Sequence, residues 1–204
     1  MEVLILILFV GGFIALIVWA FRYASRVNKR KAKLFEDFAL AHNLQLKQDK
    51  IMLATLNGVK GDFKGYDLYI YERMQGSGKN RHVVTYVEFK QCPFDFDFKI
   101  GKENFFTKTG KLLGMTDIHF NDDALDKKFL FKSKNEDKFR SFFDYKLQAE
   151  LSALDKALKG SIYYSAEEKK MTYSIYGATP NQKTFDEMIK VVNFMAMMIG
   201  NYRN

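Results

Sequence analysis

Residues 3–21 read VLILILFVGGFIALIVWAF, 19 positions without a single charge. As a helix rising 1.5 Å per residue, such a run covers roughly 28 Å, about the hydrocarbon thickness of a bilayer. Fourteen of the 19 are Leu, Ile, Val or Phe. At about −0.3 to −0.6 kcal/mol each near the helix centre, they favour insertion by roughly 4 to 8 kcal/mol. The run therefore predicts a transmembrane helix within residues 1–23. Trp19 and Tyr23 stand at one end, where amphipathic rings prefer the headgroup layer.

The flank sets the predicted direction. Arg22, Arg26, Lys29, Arg30, Lys31 and Lys33 all follow the run, while the short leading side carries Glu2 and no Lys or Arg. The positive-inside rule puts the N-terminus outside and the rest of the chain in the cytoplasm. A cleaved signal peptide is the competing reading, because Val18, Trp19 and Ala20 resemble a cleavage site. Against it stand the missing basic n-region, the length of the apolar run and the bases just beyond it. Gly11 and Ala15 form a small-xxx-small pair able to bring two spans together, which leaves a homo-oligomer open.

The net charge of +8 suggests nucleic acid until it is divided along the chain. Met1 to Lys33 holds six Lys and Arg against one acid, and the remainder holds 26 bases against 23 acids. A nearly balanced domain without a basic stripe excludes a phosphate-tracking groove, so nucleic acid is not an expected partner. Cys92 is the only cysteine, which rules out an intrachain disulfide and a thiolate zinc site. The length accommodates one ordinary domain after the helix, and we place its boundaries at 24–43 for a basic juxtamembrane stalk helix and 44–204 for the domain.

Along the stalk, Leu34, Phe35, Phe38 and His42 recur on one helical side. Residues 57–91 read as a β-meander, with Lys64-Gly65 and Gly76-Ser77-Gly78 as turns. Phe94, Phe96, Phe98 and Ile100 alternate with Asp95, Asp97 and Lys99, the pattern of a half-buried strand. A short strand over 129–132 leads to a long helix capped by Ser133 with Glu136 and closed by Gly160. Phe139, Phe142, Phe143, Leu147, Leu151, Leu154 and Leu158 supply its apolar stripe. A second hairpin turns at Glu167-Glu168-Lys169, and Thr179, Pro180 and Gln182 start a final helix. Strands followed by helices without βαβ alternation predict an α+β fold, an antiparallel sheet packed by two long amphipathic helices.

Chemistry-bearing motifs are sparse. Gly76-Ser77-Gly78-Lys79 lacks the magnesium-binding Ser or Thr of a phosphate loop and lies between strands, so it reads as a turn. Asp95 and Asp97 share a strand face about 7 Å apart, close enough to hold a cation or divide acid and base roles. Asp117, His119, Asn121 and Asp122 form the densest set of hard ligands and resemble the opening of a calcium loop. The motif then lacks its turn glycine, replaced by Asp122, and its closing glutamate, replaced by Lys128. No catalytic triad and no cofactor is implied. Met188, Val191, Phe194, Met195 and Met198 broaden the face of the last helix beyond one core stripe and are the candidate partner-binding residues.

The order of apolar helix, basic stalk, GVKGDFKGYDLYIYE hairpin and DIHFNDDALDKKFLFKS segment resembles a family of uncharacterised bacterial proteins with a membrane-anchored domain. That resemblance implies a bacterial inner-membrane setting and transfers no catalytic residue. The expectation is a non-enzymatic, single-pass accessory or scaffold subunit of a membrane complex, with the bilayer and other membrane proteins as partners. The alternative is a membrane-face sensor or enzyme using the acidic loop at residues 117–126.

Overall fold

The computed structural model describes residues 2–51, 54–102, 114–177 and 181–203. It opens with α1, Glu2–Ala41, one unbroken 40-residue helix. From residue 9 to residue 26 every side chain of α1 is exposed, although the run is apolar. Among the described residues, α1 is the one helix long and apolar enough to cross a membrane. Its last third behaves differently, because Lys31, Phe35, Phe38 and Ala39 are buried. The end of the helix therefore packs into the domain core.

The domain is built on β1, Gln45–Ile51; β2, Ala54–Phe63; β3, Tyr66–Gln75; and β4, His82–Lys90, which form an antiparallel meander. Lys64 and Gly65 turn the β2–β3 hairpin with φ of 57° and 83°, the mirror-image turn geometry that suits strand twist. Asp62 Oδ1 accepts from Gly65 N–H at 3.0 Å and fixes that turn. The chain continues through β5, Phe98–Gly101; β6, Thr116–Ile118; α2, Asp123–Asp126; β7, Leu130–Ser133; α3, Glu136–Phe142; and α4, Tyr145–Ala153. It ends with the hairpin β8, Ser161–Ser165, and β9, Lys170–Tyr176, and then α5, Gln182–Arg203. The described strands make one nine-stranded sheet in the order β1-β2-β3-β4-β9-β8-β5-β7-β6, antiparallel at each neighbouring pair. The fold is α+β, as the strand and helix pattern predicts.

Two expectations are corrected. The single helix expected after Ser133 is two, α3 and α4, separated at Phe143 and Asp144. Asp144 takes an extended conformation and accepts from Leu147 N–H, which starts a new helix there; its short carboxylate serves the orphan amides of the next turn. Ser133 ends β7 rather than capping a helix, and Asn135 is the residue whose side chain caps α3. The alternating strand at 94–100 is likewise shorter, because only Phe98 onward joins the sheet. Phe94 and Phe96 are buried without being strand residues and pack against Phe142 at centroid distances of 5.0 and 6.4 Å.

One face of the sheet carries the core. Leu68, Ile70, Val87, Phe89, Phe98, Ile100, Phe131, Ile162, Tyr164, Met171 and Tyr173 meet side chains from α1, α3, α4 and α5 in a single cluster. Each fully buried Phe contributes about 1.5 to 3 kcal/mol, and edge-to-face contacts such as Phe94 with Tyr164, at 4.9 Å and 63°, fix their mutual orientation. The Tyr164 hydroxyl donates to the Phe94 carbonyl at 2.8 Å, which removes the cost of burying it.

Candidate functional site: the open face of the sheet

In a strand successive side chains point to opposite faces, so the register that defines the core also defines what lies behind it. On that other face, Tyr69, Glu88 and Thr172 stand side by side on β3, β4 and β9. The row continues with Tyr163, Lys99, Lys132 and Asp117 on β8, β5, β7 and β6. A second row sets Tyr71 beside Tyr86 and Ser174. The described helices place their buried side chains in the core cluster on the opposite face.

A depression of about 400 Å³ is lined by Tyr71, Arg73, Tyr86, Glu88, Lys99 and Lys170, among others. Although these residues lie opposite the helices, Glu88 is only 9% exposed and Lys99 only 3%. The Tyr71 and Tyr86 rings stack at 5.3 Å and 20°. The Tyr71 hydroxyl donates to Glu88 Oε1 at 3.0 Å, and Lys170 Nζ lies 3.6 Å from the same oxygen and 2.8 Å from Glu168. Gln75 donates its amide to the Tyr86 hydroxyl, and Lys132 pairs with Asp117.

The electrostatics follow from that crowding. Burial, then the charge and hydrogen bond of Glu88, push the Tyr71 phenol well above its ordinary range. Burial also lowers Lys99, and the neighbouring Lys132 ammonium adds to the effect. The depression therefore combines aromatic faces with the cations of Arg73, Lys99 and Lys170 and the carboxylates of Glu88 and Glu168, a set suited to recognising a polar group. Ser161, Thr172 and Ser174 also line it, and Thr172 is the register partner of Glu88.

Of the motifs singled out from sequence, the acidic loop touches this face only through Asp117, at the β6 end of the row. Asp117 pairs with Lys132; Asp122 accepts from Ala124 and Leu125 N–H as the cap of α2; and Asp126 accepts from Phe120 N–H at 3.1 Å. His119 is exposed, and its carbonyl accepts from Arg140 at 2.6 Å; Asn121 takes the left-handed turn position at φ 59°. The carboxylates are thus spent on turn geometry, and among the described residues no group of three or more His, Cys, Asp or Glu could hold a metal. Asp95 and Asp97 do not face each other's partners: Asp95 pairs with Lys138 and Tyr202, whereas Asp97 accepts from Ala166 N–H and meets Lys134 at 2.6 Å.

The candidate partner-binding residues of the last helix lie inside the domain. Met188, Val191, Phe194, Met195 and Met198 are all at most 3% exposed, so the broad apolar face is consumed by packing against both the sheet and α1. Thr179 and Pro180 lie outside the described residues; Asn181 caps α5 by accepting from Thr184 N–H at 3.0 Å. Of the six bases predicted to mark topology, Lys31 is instead buried. Its ammonium lies 3.0 Å from Glu72 and donates to the Thr55 carbonyl at 3.0 Å. Cys92 is buried and donates its thiol to the Phe89 carbonyl at 3.4 Å.

No family model, curated protein or solved structure matches this chain.

Proposed function

We propose that this protein is a single-pass, membrane-anchored interaction module of a bacterial inner membrane, with its domain on the cytoplasmic side and its recognition surface on the open face of the sheet. The observation that carries this reading is asymmetry. Helices cover one face of the sheet, while the other displays stacked tyrosines, Arg73 and paired charges around a depression. Tyr and Arg are the residues that concentrate at protein interfaces. The apolar, wholly exposed stretch of α1 supports the anchor, since apolar surface of that extent is not stable in water. The bilayer and another membrane protein are then its partners, in an accessory or scaffold role, and nucleic acid is not.

The test is co-purification of the full chain from native membranes in mild detergent. A partner is retained by the wild type and by Tyr145→Ala, which alters an exposed residue on α4, and is lost from Tyr86→Ala and Lys99→Met. Recovery of monodisperse chain alone, or equal retention by all four proteins, overturns the reading.

A second reading is favoured by the size of the depression. About 400 Å³ falls within the range of small-molecule sites, roughly 300 to 1,000 Å³. In that case the module senses a small polar ligand, with Lys99 and the tyrosines in place of the acidic loop. A ligand that raises the melting temperature of the wild type but not of Lys99→Met identifies it.

A further inference from the structure

The height of the domain above a bilayer can be read from how α1 docks. Lys31 meets Glu72 on β3 and Thr55 on β2, while Leu44, just beyond the helix, packs on Gly61 of β2. From Ala41 back to Lys31 the helix rises roughly 15 Å at 1.5 Å per residue, and Leu44 N–H folds back onto the Ala39 carbonyl at 2.8 Å. From Gly61 to Thr55 a strand covers roughly 20 Å at 3.3 Å per residue. The two contacts come in the same order along the helix and along β2, so α1 runs along the strands and levels on the helix and on the sheet can be compared.

Above the Lys31 level, α1 climbs about 12 Å to reach Tyr23. Above Glu72, which is at that level, β3 climbs about 13 Å to reach Gly76 and then turns. The tip of the β3–β4 hairpin thus stands at about the level of Tyr23, whose ring stacks on Trp19 at 5.7 Å. That tip is exposed throughout residues 76–81 and includes Lys79 and Arg81. From Arg73 to His82 the chain carries Arg73, Lys79 and Arg81 and no acid. Beside it Tyr176 is 73% exposed and stacks on His82 at 4.6 Å and 16°. Gly177 N–H donates to the Val83 carbonyl at 2.9 Å, holding the end of β9 against the base of the hairpin.

We propose that the β3–β4 hairpin tip is a second membrane contact, in which Lys79 and Arg81 lie on the headgroups of an anionic leaflet with Tyr176 at their side. Basic residues within a Debye length of such a surface are attracted to it, and a tyrosine ring suits the interfacial layer. The contact restrains the domain at a second point away from the helix axis. It rests on the reading that residues 3–21 cross the bilayer.

The experiment uses the full chain in nanodiscs of phosphatidylcholine with phosphatidylglycerol, and a spin label whose relaxation is enhanced by a headgroup-bound paramagnetic lipid. Labels are placed singly at Tyr23→Cys, Ser77→Cys and Glu167→Cys; Ser77 makes no side-chain cap bond, and Glu167 lies in the turn at the opposite end of β9. The expected result is strong enhancement at positions 23 and 77 and little at 167. Lys79→Gln with Arg81→Gln lowers the ratio of contacting to free hairpin about fivefold for each charge removed, and discs of phosphatidylcholine alone lower it as well. Enhancement at 23 with position 77 no closer than 167 overturns the hairpin contact and leaves the span intact. Little enhancement at 23 itself overturns the span and the contact together.

Discussion

Glu72 is a carboxylate inside the domain, fully shielded and answered by groups from two elements. Lys31 supplies the opposite charge, and Asn57 donates both its backbone N–H, at 2.9 Å, and its side-chain amide, at 3.3 Å, to the same oxygen. Removing one partner of such a pair leaves a buried charge and costs about 3 to 5 kcal/mol, whereas replacing both by apolar groups is close to neutral. Lys31→Met is therefore expected to lower the urea midpoint sharply, and Lys31→Met with Glu72→Leu to restore most of it. Alkaline stability belongs to the same scale. Burial pushes the Cys92 thiol up from 9.0 to about 12 and the Tyr173 phenol up from 10.0 to about 12. Both groups stay neutral in the folded protein while the unfolded chain ionises, so above pH 9 the folded state binds more protons than the unfolded one. Stability is complete below that point and falls as pH rises toward 12, by up to about 1.4 kcal/mol per pH unit for each group. Urea unfolding at pH 8, 9.5 and 11 measures the slope, and a midpoint that does not fall over this range contradicts it.

Elements divide by how much of their definition is local. The hairpins β2–β3 and β8–β9 and the helix α5 were legible because turn residues and apolar periodicity coincide within each. β1, QLKQDKI, was not: it is a polar edge strand, and edges carry charge rather than an alternating pattern. The break between α3 and α4 turns on Asp144, whose carboxylate is a strong cap but reads as one more polar position in a helical stripe. Asp144→Ala is expected to cost about 1 kcal/mol in thermal or urea unfolding. Gly160 was assigned to helix termination, yet its need is spatial, because a Cβ there would lie 2.0 Å from the Ser174 carbonyl oxygen. Gly160→Ala should destabilise by about 1 to 3 kcal/mol as β8 and β9 shift apart. The open-face site was invisible for a different reason. Tyr69, Glu88, Lys99, Tyr163 and Thr172 are ordinary alternating residues on separate strands, and only the tertiary register lines them up.

At the scale of the molecule, α1 is both the apolar element and a wall of the core. Of the six bases after the apolar run, Lys31 is internal, and the rest lie along a helix whose far end is packed. A chain lacking residues 1–25 keeps Lys31, Phe35, Phe38 and Ala39 and is expected to fold as a soluble domain. One lacking residues 1–43 strips those side chains from the sheet and leaves Glu72 without its ammonium. With about 1.5 to 3 kcal/mol lost for each buried Phe, it should lose cooperative unfolding by circular dichroism. Equal urea midpoints for the two truncations would remove α1 from the core.

The unbroken course of α1 also governs motion. Its only glycines, Gly11 and Gly12, lie in the apolar run, and it contains no proline. Kinks arise at such residues, so between the apolar run and the core the helix has no built-in hinge. With its apolar part in a bilayer, the domain would not swing as on a tether but turn as a vane fixed to a shaft. Rotation of the helix about its axis by one residue, about 100°, would carry the open face of the sheet through the same angle. Which neighbour that face meets would then be decided by how the shaft is seated among other spans.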